Sequence, residues 1–200
     1  MEGFIMNIDE NILSKENLAK IEALDNPKAM KVIEKYIKHC RPAKVTVLTD
    51  SQEDIDYIRQ LSLTNKEEKK LAMEGHTIHY DGMQDQARAK KVTKVLLPKG
   101  KKISSFINST DRDEGLTEVL GIMEGIMEGK EMLICFFCLG PQDSKFSLSA
   151  LQMTDSSYVC HSETILFRPG YEQFKRLNGS EEFFYFLHSA GELDDRGNTV

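Results

Sequence analysis

The stretch MLICFFCL, residues 132–139, decides the fold class. It is an unbroken apolar run between Gly129 on one side and Gly140-Pro141 on the other. A run of this kind predicts a central β-strand buried on both faces. The turn GPQDS follows it, and FSLSALQMT at 146–154 has partial period-two alternation, so the two segments are expected to pair. Upstream, Thr110-Asp111 can cap a helix carrying Leu116, Val119, Leu120, Met123 and Met127 and closed by Gly129.

Working outward, KVTVLT at 44–49 is β-rich and reads as a strand. HTIHY at 76–80 and VTKVLLP at 92–98 are further strand candidates, separated by the polar stretch DGMQDQARAKK. The first forty residues read as two helices. Ser14 can cap a segment running through Leu18 and Ile21. Asn26-Pro27 supplies a cap followed by proline at the first helical position, and Met30, Ile33, Ile37 and Cys40 recur at helical spacing until Pro42. Ser51 and Asp54 resemble a capping box before Ile55, Ile58 and Leu61, and NKEEKK at 65–70 reads as a solvated turn or helix end. Toward the carboxy terminus, YVCHSETILF at 158–167 reads as a strand and 170–177 as a short helix, and the ending SAGELDDRGNTV is polar. Helices and strands interleave, so the expected class is α/β, with α+β as a variant: a mixed sheet flanked by helices in one domain spanning 1–200.

Composition bounds the function. Hydrophobic residues at 40% and charged residues at 29% describe a globular chain. A net charge of −6 argues against general binding to nucleic acid or an anionic membrane. No run approaches the roughly 18 apolar residues of a membrane span, and the amino terminus lacks a secretory pattern, so a cytoplasmic protein is expected.

Several residue groups invite chemistry. Cys135 and Cys138 form C-x-x-C, but residues three apart on a strand point to opposite faces, and no second pair exists to complete a zinc site. All four cysteines (Cys40, Cys135, Cys138 and Cys160) read as buried reduced thiols. His76 and His79 also sit three apart on a candidate strand, so one should be buried and the other near the surface. Thr154-Asp155-Ser156 lacks the glycines of a nucleophile elbow and reads as a turn stabilised by its own side chains. Neither G-x-x-x-x-G-K-[ST] nor a strand-associated G-x-G-x-x-G occurs, so the chain carries no recognisable phosphate cradle.

Residues 88–102 hold seven basic side chains and no acidic one. Arg88 ends the polar loop and precedes a strand, a place where a guanidinium can grip a carboxylate or phosphate bidentately. Spacing alone leaves two readings open, an anion-binding arginine or a solvated basic loop.

Three blocks bear on that choice: HTIHYDGMQDQARAKKVTKVLLPKG at 76–100, DRDEGLTEVLGIMEGIMEGKEMLICFFCLGP at 111–141, and LQMTDSSYVCHSETILFRPGYEQFKR at 151–176 with FLHSAGELDDR following it. In order and spacing they resemble the GTP-type phosphoenolpyruvate carboxykinases, especially the archaeal and related bacterial forms. KVTVLTDSQEDIDYIRQ at 44–60 extends the resemblance more weakly.

The resemblance implies an enzyme that interconverts oxaloacetate and GTP with phosphoenolpyruvate, GDP and carbon dioxide in gluconeogenesis, assisted by manganese or magnesium. It implies that Arg88 contacts the substrate carboxylate. In the animal enzymes a glutamate two positions later helps hold a lid; here Lys90 stands there, so that contact does not carry over. The family's Tyr-Gly-Gly loop, metal-binding lysine, histidine and aspartate, glycine-rich phosphate loop and guanine pocket have no counterpart in these 200 residues. The expectation is therefore an amino-terminal, substrate-binding domain that is inactive alone, binds neither GTP nor metal, and requires a carboxy-terminal catalytic domain. Two alternatives stand beside it: the corresponding part of a pyrophosphate-dependent carboxykinase, and a free-standing, non-catalytic anion-binding or interaction module.

Overall fold

In the structure, a computed structural model that describes residues 4–80 and 93–192, the helix starts fall where the sequence supplies capping side chains. Helix α1 (Lys15–Glu22) follows Ser14, whose Oγ accepts the Asn17 N–H at 3.3 Å. Helix α2 (Pro27–Cys40) follows Asn26, whose Oδ1 accepts the Ala29 N–H at 3.1 Å. It ends on Arg41 in the left-handed region (φ 54°), the Arg41 N–H donating to the Ile37 carbonyl. Strand β1 (Lys44–Val47) leads to α3 (Gln52–Thr64), where the Ser51 Oγ accepts the Asp54 N–H at 3.1 Å. The box is only half closed, because the Asp54 carboxylate turns instead to the Thr49 N–H at 2.7 Å.

Strands β2 (Lys69–Lys70) and β3 (Thr77–Ile78) form a short antiparallel hairpin. Strands β4 (Val95–Leu97) and β5 (Ser109–Asp111) form a separate parallel pair that runs into α4 (Arg112–Met123). The remaining elements are β6 (Glu131–Leu139), β7 (Leu148–Thr154), α5 (Ser157–Leu166), β8 (Arg168–Pro169), α6 (Tyr171–Lys175) and β9 (Phe183–His188).

The main sheet runs β1-β6-β7-β9, with β8 pairing the far end of β6. Residues 132–139 all lie in β6, as expected of the central strand. β6 pairs in parallel with β1 and antiparallel with β7, and β7 pairs in parallel with β9, so the sheet is mixed. The β6–β7 turn opens on Gly140 at φ +77°, where an added Cβ would stand 2.4 Å from the Phe146 carbonyl oxygen.

Alternation along β6 divides the core in two. Met132, Ile134 and Phe136 join α1, α2 and α6 on one face. Leu133, Cys135 and Phe137 join Ile58 of α3 and Cys160 of α5 on the other. The class is α/β with a mixed sheet flanked by helices.

Three local expectations are overturned. Residues 158–167 are almost wholly helix α5, not a strand, because Ser156 caps them and a distant carboxylate completes the first turn, as described below. NKEEKK is not solvated throughout, since Glu67 and Glu68 are only 8% and 6% exposed. The helix from Asp111 stops at Met123 rather than at Gly129, since Gly125 takes φ +66° and its N–H turns to the His39 carbonyl. Met127 is still buried, with its N–H donated to Cys40 O. The strand candidates at 76–80 and 92–98 are borne out as the short strands β3 and β4, neither of which joins the main sheet. The strand at 183–188, by contrast, was not anticipated.

Candidate functional site

The segment Thr154-Asp155-Ser156-Ser157-Tyr158 carries the chain from the end of β7 into α5. Two distant parts of the molecule are fastened to it. The first is the stretch between α3 and β2. Glu67 lays its carboxylate across the start of α5, accepting the Ser157 N–H at 3.0 Å and the Tyr158 N–H at 3.1 Å. The hydroxyls of Ser156 and Ser157 donate to the same carboxylate. A carboxylate here satisfies helix amides that have no partner within the helix and faces the positive end of the helix dipole. Asn65 adds a bond to the Ser157 Oγ at 3.1 Å.

The neighbouring Glu68 is bound just as tightly. It accepts from the Ser62 hydroxyl and from Thr77 Oγ1 at 2.8 Å, and its Oε2 lies 2.6 Å from His161 Nδ1 on α5. Burial pushes the Glu68 carboxyl upward, but the hydrogen bonds from Ser62, His161 and Thr77 outweigh that and hold it below the usual carboxylate range. The backbone of this stretch is used too. His79 Nδ1 lies 2.6 Å from the Glu67 carbonyl oxygen, and the His79 ring stacks on Tyr158 with centroids 3.5 Å apart. His79 is half-buried and His76 exposed, so neither is fully buried, and both lie outside β3 rather than on a strand.

The second part is the stretch beyond β9. Asp155, with a side chain 1% exposed, accepts from Lys130 Nζ at 2.9 Å, from the Ser189 hydroxyl at 2.7 Å and from the Ala190 N–H at 2.8 Å. Lys130 also donates to the Gly191 carbonyl. Thr154 Oγ1 and His188 Nδ1 lie 2.9 Å apart. Burial lowers the His188 pKa, against the opposing charges of Asp155 and Glu67, which favours the neutral ring.

Between these anchors lies a cleft of about 450 Å³, lined among others by Asn65, Glu67, Lys130, Glu131, Asp155 and Ala190. Its carboxylates are engaged by hydroxyls, amides or lysine: Glu131 by Thr46, Tyr57 and Lys44, the others as above. The arrangement is suited to holding backbone in place rather than to moving protons. Among the described residues, no group of three or more His, Cys, Asp or Glu side chains could hold a metal ion.

Arg88, the residue expected to bind substrate, lies outside the described residues, as do Lys90 and Lys91. Lys94 is described and exposed. The turn at 154–156 is stabilised by side chains as expected, with the Ser156 N–H donating to Thr154 Oγ1 at 3.0 Å. Sequence reasoning missed Glu67, Glu68, Lys130 and His188. The one available signal was a pair of adjacent acids between lysines following an amphipathic helix, which looks the same whether buried or solvated.

Residues 31–199 match the family described as phosphoenolpyruvate carboxykinase N-terminal domain. The chain is 54% identical over 184 residues to a protein of Thermococcus sibiricus named phosphoenolpyruvate carboxykinase [GTP], covering 92% of this chain and 29% of that one. A protein of the same name from Thermococcus kodakarensis is 52% identical over 187 residues, covering 94% and 30%. One from Chlamydia felis is 37% identical over 108 residues, covering 54% and 18%. The chain thus spans under a third of the length of these relatives. No described helix is long and apolar enough to cross a membrane. On the extent of the match, the chain belongs to the phosphoenolpyruvate carboxykinase N-terminal domain family.

Proposed function

We propose that this chain is the substrate-side domain of a cytoplasmic, GTP-dependent phosphoenolpyruvate carboxykinase, an enzyme that converts oxaloacetate and GTP to phosphoenolpyruvate, GDP and carbon dioxide. The observation that carries the reading is identity above 50%, over nearly the whole chain, to proteins named for that activity. That these relatives are named for GTP favours GTP over pyrophosphate as the phosphoryl donor.

In this reading Arg88 grips the carboxylate of oxaloacetate or phosphoenolpyruvate and orients it while the carbon–carbon bond breaks. Its planar guanidinium suits two parallel hydrogen bonds to a carboxylate, and it acts as neither acid, base nor nucleophile. The junction at 154–158 supports this role indirectly, because it fixes His79, two residues before the segment that bears Arg88. A divalent ion, when bound, would neutralise charge at the transferred phosphoryl group. In this reading the ion and GTP are held by the part of the enzyme that this chain does not span, since the chain covers 29–30% of its relatives' length.

The test compares Arg88→Ala with wild type in the full-length protein. Losing a charge-assisted bidentate contact should cost roughly 2–3 kcal/mol, or about 30- to 150-fold in kcat/KM for oxaloacetate. Unchanged kinetics would remove Arg88 from the substrate site. The 200-residue chain by itself should decarboxylate oxaloacetate no faster with GTP than free metal does, and a robust nucleotide-dependent rate would sink the division of labour.

A further inference from the structure

Cys135 points from the middle of β6 toward α5, and Cys160 points from the second turn of α5 back at the sheet. Both are free thiols, and their Sγ atoms are in direct contact, 2.6 Å apart. The residues are 2% and 0% exposed, and around them lie Ile58, Phe137 and Ala150. The other two thiols are not available to this pair. Cys138 is three residues along the same strand and so faces the opposite side of the sheet, and Cys40 belongs to the opposite core. The C-x-x-C spacing therefore directs attention to the wrong partner.

We propose that Cys135 and Cys160 are a disulfide site, a covalent staple between the central strand and the helix whose first turn carries the Glu67 junction. The chemistry is thiol–disulfide exchange with a small-molecule disulfide such as oxidised glutathione. One cysteine thiolate attacks a reagent sulfur and expels the first reagent thiol. The second cysteine then attacks the mixed disulfide at the protein sulfur and expels the other. Two protein thiols are oxidised to one S–S bond, one reagent disulfide is reduced to two thiols, and the protons end on the departing thiols or solvent.

Burial makes this site slow and selective. Desolvation, with the neighbouring Cys160 thiol, drives the Cys135 thiol well above its ordinary pKa, so the nucleophilic thiolate is scarce in the closed fold. Exchange accordingly proceeds when α5 lifts from the sheet, and closure then shields the bond from reductant. The inference does not depend on the carboxykinase reading.

The purified chain, equilibrated to constancy in a glutathione redox buffer with sub-denaturing urea to admit the reagent, is quenched with an alkylating agent and peptide-mapped without reduction. The expected map joins the Cys135 and Cys160 peptides, with a mass lower by two hydrogens, and finds Cys40 and Cys138 alkylated. Four alkylated cysteines, a bond involving Cys40 or Cys138, or a stable glutathione adduct at Cys135 or Cys160 would each overturn it. The wild-type map decides without a variant, and Cys138→Ser should reproduce it. Oxidised protein should also unfold at higher denaturant than reduced protein, a difference that Cys160→Ser abolishes. Equal midpoints with the bond in place would overturn the staple.

Discussion

The two faces of the sheet are built by different means. On the face covered by α1, α2 and α6, twenty buried residues of the described chain form one apolar cluster. Phe136, Tyr171, Phe174 and Phe183 meet ring to ring within it. On the face covered by α3 and α5, only seven do, and the packing is supplemented by buried carboxylates, hydroxyls and thiols. The apolar face gains stability from area, which is forgiving in detail. The polar face gains position from directed bonds, each of which loses much of its worth when one partner is removed. The segment that leads up to His79 is tied on the polar side.

The largest effect should come from breaking the apolar face. Phe174 is fully buried, so Phe174→Ala should destabilise the fold by about 3–5 kcal/mol, read from denaturant unfolding. The loss should be global, with amide exchange accelerated throughout the sheet.

Breaking the polar face should be smaller and more local. Glu67→Ala leaves the Ser157 and Tyr158 amides without their acceptor and should cost about 2–3 kcal/mol. Lost exchange protection should concentrate in residues 65–80 and the first turn of α5. Glu67→Gln keeps the shape but not the charge, and should recover part of the loss. Uniform loss of protection across both faces would erase the distinction drawn between them.

The smallest effect sharpens the comparison through pH. Glu163 on α5 has an Oε2 that is buried without a hydrogen-bond partner, and desolvation raises its pKa from 4.5 to about 7. Because the folded pKa lies above the unfolded one, the folded chain holds this proton longer. Stability is therefore unaffected well below pH 4.5 and declines as pH rises from there through about 7. Allowing for the partial exposure of the side chain, the penalty should be about 1–2 kcal/mol above that range. Glu163→Gln should flatten this part of the stability–pH curve, and an unchanged curve would rule out Glu163 as its source.

The same contrast explains what could be read from the chain. The central strand was legible because MLICFFCL is apolar at every position and buried on both sides. The starts of α1, α2 and α3 were legible because Ser14, Asn26 and Ser51 act within three residues of themselves. Helix α5 was not: Ser156 caps it locally as the others are capped, but the carboxylate that takes the Ser157 and Tyr158 amides belongs to Glu67, 90 residues away. The burial of Glu67 and Glu68 was hidden for the same reason, as was the partnership of Cys135 with Cys160. Local rules describe the face built from area. The face built from directed bonds depends on contacts that no window of sequence contains. The expectation for Arg88 came from resemblance, since spacing alone left open both an anion-binding arginine and a solvated basic loop.

Strand β9 has a consequence for how this protein behaves in a tube. Its sequence is FFYFLH, it pairs only with β7 among the described residues, and Tyr185 and Phe186 are 41% and 44% exposed. Six residues with strong β propensity and no proline, glycine or formal charge, placed at the rim of a sheet, make a template for self-association between molecules. The acidic pair Glu181 and Glu182, immediately before it and exposed, is the kind of gatekeeper that discourages such growth. The guard at this edge should weaken in acid or high salt, where the repulsion of these charges fades.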